Sequence, residues 1–289
     1  MKLIRCGREG HEIPAVLEAD GKRRDISAFT RDFDARFFRE SGIAALQAWY
    51  HLHAGSCPEI TADERLGSAV AVPPYMLCIG LNYADHARET GAKIPTEPVL
   101  FGKAPTAVCG PDDDIYLPPG SQHLDYEVEL GIVIGATARH LTEAQAAAAI
   151  VGYVLVNDVS ERHYQKDRGG QWIKGKSYDH FAPVGPYLAT ADEVGDVRNL
   201  ALTTRVNGDL RQNGNTANLL FSPLAIVAYA SQFMTLTPGM IISTGTPAGV
   251  AMGMKPEPVY LEAGDRLELS VTGLGTQRNL VVASPWGGK

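Results

Sequence analysis

The stretch Tyr126-Glu127-Val128-Glu129-Leu130-Gly131-Ile132-Val133-Ile134 decides how the rest of the chain is read. Two glutamates stand one residue apart at the head of what otherwise has the composition of an interior strand. Side chains alternate along a strand with a period of two, so Glu127 and Glu129 leave the same face. A strand with one face in water would go on alternating apolar with polar residues. Here the alternation gives way to Gly131-Ile132-Val133-Ile134, which predicts cover on both faces. An ionised carboxylate withdrawn from water needs a counter-charge or a shifted pKa, and two together double the need. A bound cation answers it most simply.

Working outward, the apolar run Val151 to Val156 ends in Asn157-Asp158, and strand ends are common places for a ligand or catalytic group. Asp158 with Glu127 and Glu129 makes an all-oxygen donor set suited to Mg²⁺, with Mn²⁺ as the alternative and Ca²⁺ a poorer match. Zinc would recruit His or Cys, and neither adjoins these positions. Spacing alone leaves a rival open: a strand with two surface glutamates and an aspartate that caps a helix. Glycosidase carboxylates flank a bond from opposite sides, ~5 Å or more apart, which neighbours on one strand face suit badly.

Further candidates lie along the chain. His86 and Glu89 share one face if Tyr83 to Thr90 is a helix capped by Asn82, and a carboxylate-oriented imidazole can take a proton from water. The plainer reading is a solvated helix with paired charges. Lys176, between aromatic and glycine residues in Gln171-Trp172-Ile173-Lys174-Gly175-Lys176, could offset the acids and stabilise an oxyanion; Lys174 and Lys103 compete for that role. The loop Thr244-Gly245-Thr246-Pro247-Ala248-Gly249 follows a strand and offers backbone N–H groups to an anion. It lacks the spacing of a phosphate loop. His123, His163 and His180 fit no metal spacing and are expected to pack or face solvent. No Gly-x-Ser-x-Gly nucleophile motif is present.

The 289 residues allow one large domain or two unequal ones; the polar stretch Ser56 to Ser68 suggests a small N-terminal domain over 1–70 and a main domain over 71–289. A net charge of −7 argues against nucleic acid as a partner. No apolar stretch approaches the ~20 residues of a membrane span, and the N-terminus does not read as a secretory signal. Cys6, Cys57, Cys78 and Cys109 are scattered, as expected for reduced thiols in a cytoplasm. The N-terminal part reads as a hairpin about Asp20-Gly21 and a helix over Phe37 to Trp49. Later come a capping box at Thr142 and Gln145, a hairpin about Asn207-Gly208 and a helix from Ser222-Pro223 to Phe233. Helices are few and do not alternate with strands, so the expected class is strand-rich α+β, a mixed sheet folded on itself rather than a doubly wound one.

Taken together, five motifs in order resemble the fumarylacetoacetate hydrolase family: Ile79 to His86, Asp125 to Leu130, Asn157 to Ser160, Gly175 to Asp179 and Ser243 to Pro247. The resemblance runs from about Leu77 to Val282. It implies a mixed β-sandwich roll, a homodimer, a divalent cation on Glu127, Glu129 and Asp158, and a water-activating His86–Glu89 pair on a segment that closes over substrate. It also implies Lys176 as a catalytic lysine, with Tyr83, Lys103, Arg162, Gln165 and Thr246 contacting an oxo-acid. Within the family the chain is most similar to 2,4-diketo-3-deoxy-L-rhamnonate and L-fuconate hydrolases, through Asn215 to Phe221 and the N-terminal segment. That implies cleavage of C3–C4 to pyruvate and a second acid such as L-lactate. Decarboxylase, isomerase or ureidoglycolate lyase chemistry on the same site, or oxo-acid binding without turnover, are the alternatives. His180, where many relatives have Thr, is a departure expected beside the pocket.

Overall fold

The computed structural model describes residues 1–286. Ten strands form one mixed sheet in the order Glu59–Ile60, Arg23–Asp25, Ile13–Leu17, Lys2–Cys6, Leu188–Thr190, Ile150–Asn157, Val128–Ile134, Ile241–Ser243, Met76–Gly80, Val99–Lys103. All neighbours run antiparallel except Ile241–Ser243 beside Met76–Gly80. A second sheet of five strands runs Asp209–Asn215, Ala201–Val206, Arg266–Val271, Gly275–Ala283, Ile115–Leu117. Arg266–Val271 buries alternate residues, and its inner face packs on Val128–Ile134. The architecture is the strand-rich α+β sandwich expected from the sequence.

Val128–Ile134 is buried at every position, because it is flanked on both edges and covered on both faces. Gly131 is required there: a Cβ would stand 2.7 Å from the Cγ2 atoms of Val154 and Val156. The segment expected as a small N-terminal domain supplies four strands of the large sheet, joined where Lys2–Cys6 pairs with Leu188–Thr190. One apolar cluster continues through this junction, from Leu3 and Ile4 to Leu130 and Leu267.

Most local expectations match within a residue or two. The hairpins lie at Ile13–Leu17 with Arg23–Asp25 and at Ala201–Val206 with Asp209–Asn215. The Thr142–Gln145 capping box starts a helix over Glu143–Ala146, and the last long helix is Pro223–Phe233. The helix expected over Phe37 to Trp49 is instead two, Ala35–Arg39 and Gly42–His53. Ser41 between them is left-handed, and Gly42 packs so tightly that a Cβ would stand 2.4 Å from the Phe37 carbonyl oxygen. Asn82 does not cap the helix Ala84–Glu89. Its side chain donates to the carbonyls of Thr244 (2.7 Å) and Phe221 (3.1 Å) and accepts from the Phe221 N–H (2.8 Å), bolting two loops to the end of Met76–Gly80.

Candidate metal centre and active site

Strand register brings the three acids together. Val128 faces Asn157 and Glu129 faces Val156 across the antiparallel pair, so Asp158, one residue past its strand, donates its N–H to the Glu127 carbonyl at 2.9 Å. Ligand oxygens of Glu127, Glu129 and Asp158 all lie within 4.8 Å of one another, and all three residues are buried. The rival reading of two surface glutamates does not describe this chain.

Three bases reach the cluster. Lys176 donates to Glu127 Oε2 (2.8 Å) and Asp158 Oδ2 (2.7 Å). Lys103 donates to Asp158 Oδ1 (2.5 Å) and the Val159 carbonyl (2.9 Å). Arg162 forks between Asp125 Oδ2 (2.8 Å) and Glu127 Oε1 (2.6 Å), and its third arm donates to Gln165 Oε1 (3.0 Å). That last bond fixes the Gln165 amide with its NH₂ turned from Arg162. Gly175 allows the two short helices Arg162–Lys166 and Ile173–Lys176 to meet, since a Cβ would lie 2.4 Å from the Glu161 carbonyl oxygen.

Glu129 has no basic partner within ion-pair distance among the described residues; its Oε2 accepts from Ser243 Oγ (2.5 Å) and the Gly245 N–H (2.8 Å). Burial, with Asp158 and Glu127 beside it, pushes its carboxyl well above the usual range. Burial also acts on Glu127, but Lys176 and Arg162 outweigh it and hold that carboxyl far below the usual range. Lys103 is pulled down by burial against the opposing pull of Asp158. Lys176 is also penalised by burial, yet Asp158 and Glu127 together raise it. Four buried acids (Asp125, Glu127, Glu129, Asp158) thus face three buried bases, and the surplus charge falls on Glu129. An all-oxygen set with one uncompensated charge fits a hard divalent cation.

A cavity of about 100 Å³ opens over Glu127 and Glu129. Its polar lining includes His86, Thr90, Arg162, Gln165, Lys166, Lys176 and Thr246, and its apolar wall includes Leu81, Phe101, Trp172 and Met252. Trp172 packs where Gly80 leaves room, for a Cβ there would stand 2.6 Å from the indole. Leu81, left-handed at φ 56°, turns the chain from its strand toward Asn82. On Ala84–Glu89, His86 Nδ1 lies 2.8 Å from Glu89 Oε1, and Glu89 Oε2 accepts from the Gly249 N–H at 2.9 Å. A carboxylate on Nδ1 selects the tautomer that leaves Nε2 able to accept a proton.

Of the residues singled out in the sequence, Glu127, Glu129, His86, Lys176, Arg162, Gln165 and Thr246 border this cavity, and Asp158 lies behind it through Lys176. Tyr83 and Lys103 do not border it. Lys103 is spent on Asp158; Tyr83 is buried with a hydroxyl that has no hydrogen-bond partner among the described residues. The loop Thr244 to Gly249 binds anions, but they are the protein's own: Gly245 holds Glu129 and Gly249 holds Glu89. His180 does not line the cavity; its ring stacks on Tyr116 at 4.1 Å and its Nδ1 meets the Asp114 carbonyl. Nor does the stretch Asn215 to Phe221 touch the cavity, since it anchors Asn82. Sequence reasoning missed Asp125, Trp172, Ser243 and Gln212, whose buried amide ties Val128, Thr246 and Pro247 together. The Asp125-Tyr126-Glu127 triplet was visible, but a lone acid at a strand start carries no signal of its own.

This fold and its cluster of buried carboxylates have counterparts among known proteins: residues 75–282 match the fumarylacetoacetate (FAA) hydrolase C-terminal family, to which the chain belongs. A Burkholderia multivorans protein whose name says hydrolase, without a substrate, is 48% identical over 98% of this chain and 100% of its own length. Maleylpyruvate hydrolase from Sphingobium sp. SYK-6, solved with manganese(II) and pyruvate, superposes with a TM-score of 0.82 at 30% identity, covering 98% of this chain and 100% of that one. A 5-carboxymethyl-2-hydroxymuconate delta-isomerase from Mycobacterium smegmatis gives a TM-score of 0.76 at 33% identity, with 100% of both chains covered.

Proposed function

We propose that this protein hydrolyses the C3–C4 bond of a 2,4-diketo acid, releasing pyruvate and a second acid, with Mg²⁺ or Mn²⁺ on Glu127, Glu129 and Asp158. The observation that carries the reading is the joint presence of the surplus-charge donor set and the His86–Glu89 pair on one cavity. The solved neighbour with manganese and pyruvate supports it. A cation held there would supply Lewis acidity toward the carboxylate and 2-oxo oxygens of the substrate.

The chain's own residues do the rest. His86 Nε2, held by Glu89, takes a proton from water, and the oxygen adds to C4. The C3–C4 bond breaks with its electron pair passing to C3 and the 2-oxo oxygen. Lys176 has one ammonium proton beyond its two carboxylate bonds to meet that charge, and Gln165 Nε2 and the Arg162 edge orient the acid. The proton on His86 returns to C3, so water is consumed and no redox partner is needed. Diketo-deoxy sugar acids of the rhamnonate and fuconate type are the first substrates to try, with maleylpyruvate-like dicarboxylates beside them.

An isomerase would use the same site without activated water, and the isomerase neighbour gives that reading its support. The experiment is incubation of the purified protein with synthetic 2,4-diketo acids and Mg²⁺ or Mn²⁺, with and without EDTA. Pyruvate plus a new acid, abolished by EDTA and slowed ~10²-fold or more by His86→Gln, is the expected result. Carbon dioxide release, or a tautomer formed equally well by His86→Gln, would refute hydrolysis.

A further inference from the structure

Asp125 belongs neither to the donor set nor to the His86–Glu89 pair, yet it is bonded to the frame of both. We infer that Asp125 is a positioning residue that couples the metal carboxylates to the water-activating pair. On one side Arg162 Nε donates to its Oδ2 (2.8 Å) while another Arg162 arm donates to Glu127 (2.6 Å). On the other, the N–H groups of Ala251 and Met252 donate to its two oxygens at 2.8 and 3.1 Å. These residues open the short turn Ala251–Gly253, and that turn lies against Glu89: a Cβ on Gly253 would stand 2.5 Å from Glu89 Oε2. Glu89 in turn holds His86. From Glu127 to His86 the path is hydrogen-bonded at every step but the Gly253–Glu89 contact.

This path is stiff. Asp125 is completely buried and accepts a fourth bond, from the Tyr126 N–H at 2.8 Å, so it cannot turn without orphaning a buried donor. The guanidinium is a rigid fork, so a shift of Glu127 on taking up a cation is passed to Asp125 rather than absorbed. Met252, which the path moves, also lines the cavity. The path explains Gly253: only a residue without a side chain lets the turn press on Glu89. Coupling of this kind is reciprocal.

The catalytic consequence rests on the proposed hydrolase; the metal consequence does not. The test is Mn²⁺ affinity, read from the free-ion EPR signal, in wild type, Asp125→Asn and Gly253→Ala, together with diketo-acid hydrolysis. Asp125→Asn sets an NH₂ against donors and is expected to weaken Mn²⁺ binding ~10-fold and to lower kcat by more than KM rises. Gly253→Ala touches no donor-set residue, yet by reciprocity it is expected to shift Mn²⁺ affinity ~5-fold as well as lower kcat. Should Asp125→Asn fail to fold, the glycine variant decides alone. Wild-type Mn²⁺ affinity in Gly253→Ala, with or without a fall in kcat, overturns the coupling, as does an Asp125→Asn protein unchanged in both readouts. If the wild type cleaves no diketo acid, the hydrolase reading falls and the Mn²⁺ titrations still decide the coupling.

Discussion

Removing the surplus charge should change how the metal-free protein responds to pH. Glu129 is buried, bonded among the described residues only to Ser243 and Gly245, and its carboxyl is raised by burial and by its acidic neighbours. A group whose folded pKa exceeds its unfolded value stabilises fully below the unfolded value, about 4.3 for Glu, and loses that stabilisation as pH rises toward the folded value. The slope is about 1.4 kcal/mol per pH unit while the folded chain keeps a proton that the unfolded chain has lost. Glu127, whose folded value is lowered, acts with the opposite sign, and its contribution disappears only below about pH 4.3, so the two windows do not overlap. Glu129→Gln mimics the protonated acid and removes this titration. In EDTA, the Tm of wild type should therefore fall relative to the variant from pH 5 upward, by roughly 2 °C per unit. Thermal melts at half-unit steps from pH 5 to 8 check it. Saturating Mn²⁺ should raise the wild-type Tm at pH 8 and leave Glu129→Gln almost unmoved, since a ligand stabilises only the state it binds. Parallel melting curves for the two proteins across pH 5 to 8 would show that Glu129 carries no excess cost, and the charge argument for a cation would fail with it.

His86→Gln should lower hydrolytic kcat by ~10²-fold or more while Mn²⁺, followed by EPR, still binds with an affinity changed less than in Gly253→Ala, because the imidazole touches Glu89 and not the donor set. Gly245→Ala places a Cβ 2.8 Å from that of Asn82 at φ +99°, so it should cost about 2 kcal/mol in urea unfolding and weaken Mn²⁺ binding by displacing the N–H that holds Glu129. Lys166 lines the cavity rim and makes no ion pair or hydrogen bond among the described residues, so Lys166→Ala should raise KM ~3-fold for a diketo acid with a second carboxylate at its far end. The same variant should leave KM for a neutral-tailed substrate unchanged; equal effects on both would remove any role for the lysine in reading charge.

What the sequence disclosed followed from periodicity. Glu127 and Glu129 share a face because a strand repeats every two residues, and the loss of alternation after Leu130 announced the double cover that makes their burial costly. His86 and Glu89 meet because i and i+3 meet on any helix. Contacts between distant segments were another matter. Asn82 before a helix looks like a cap, and nothing local shows that its amide is committed to Thr244 and Phe221 instead. The glycine and threonine loop displayed free N–H groups, but which anions they hold depends on the parallel pairing of Ile241–Ser243 with Met76–Gly80. The break at Ser41 escaped notice because the apolar spacing carries on across it. Asp125 was invisible as a functional residue for a similar reason: its partners lie 37 and 126 residues away.

The separation between ligand-bearing strands and cavity walls has a consequence for how such a molecule can diversify. Glu127, Glu129 and Asp158 are fixed at the central strands, whereas Trp172 and Thr90 come from short turns at the margin. Side chains at these two positions can be exchanged with little effect on the three carboxylates, so the cavity wall can be reshaped by small steps while the donor set stays as it is. A library confined to those two positions is where a laboratory should begin in redirecting this scaffold.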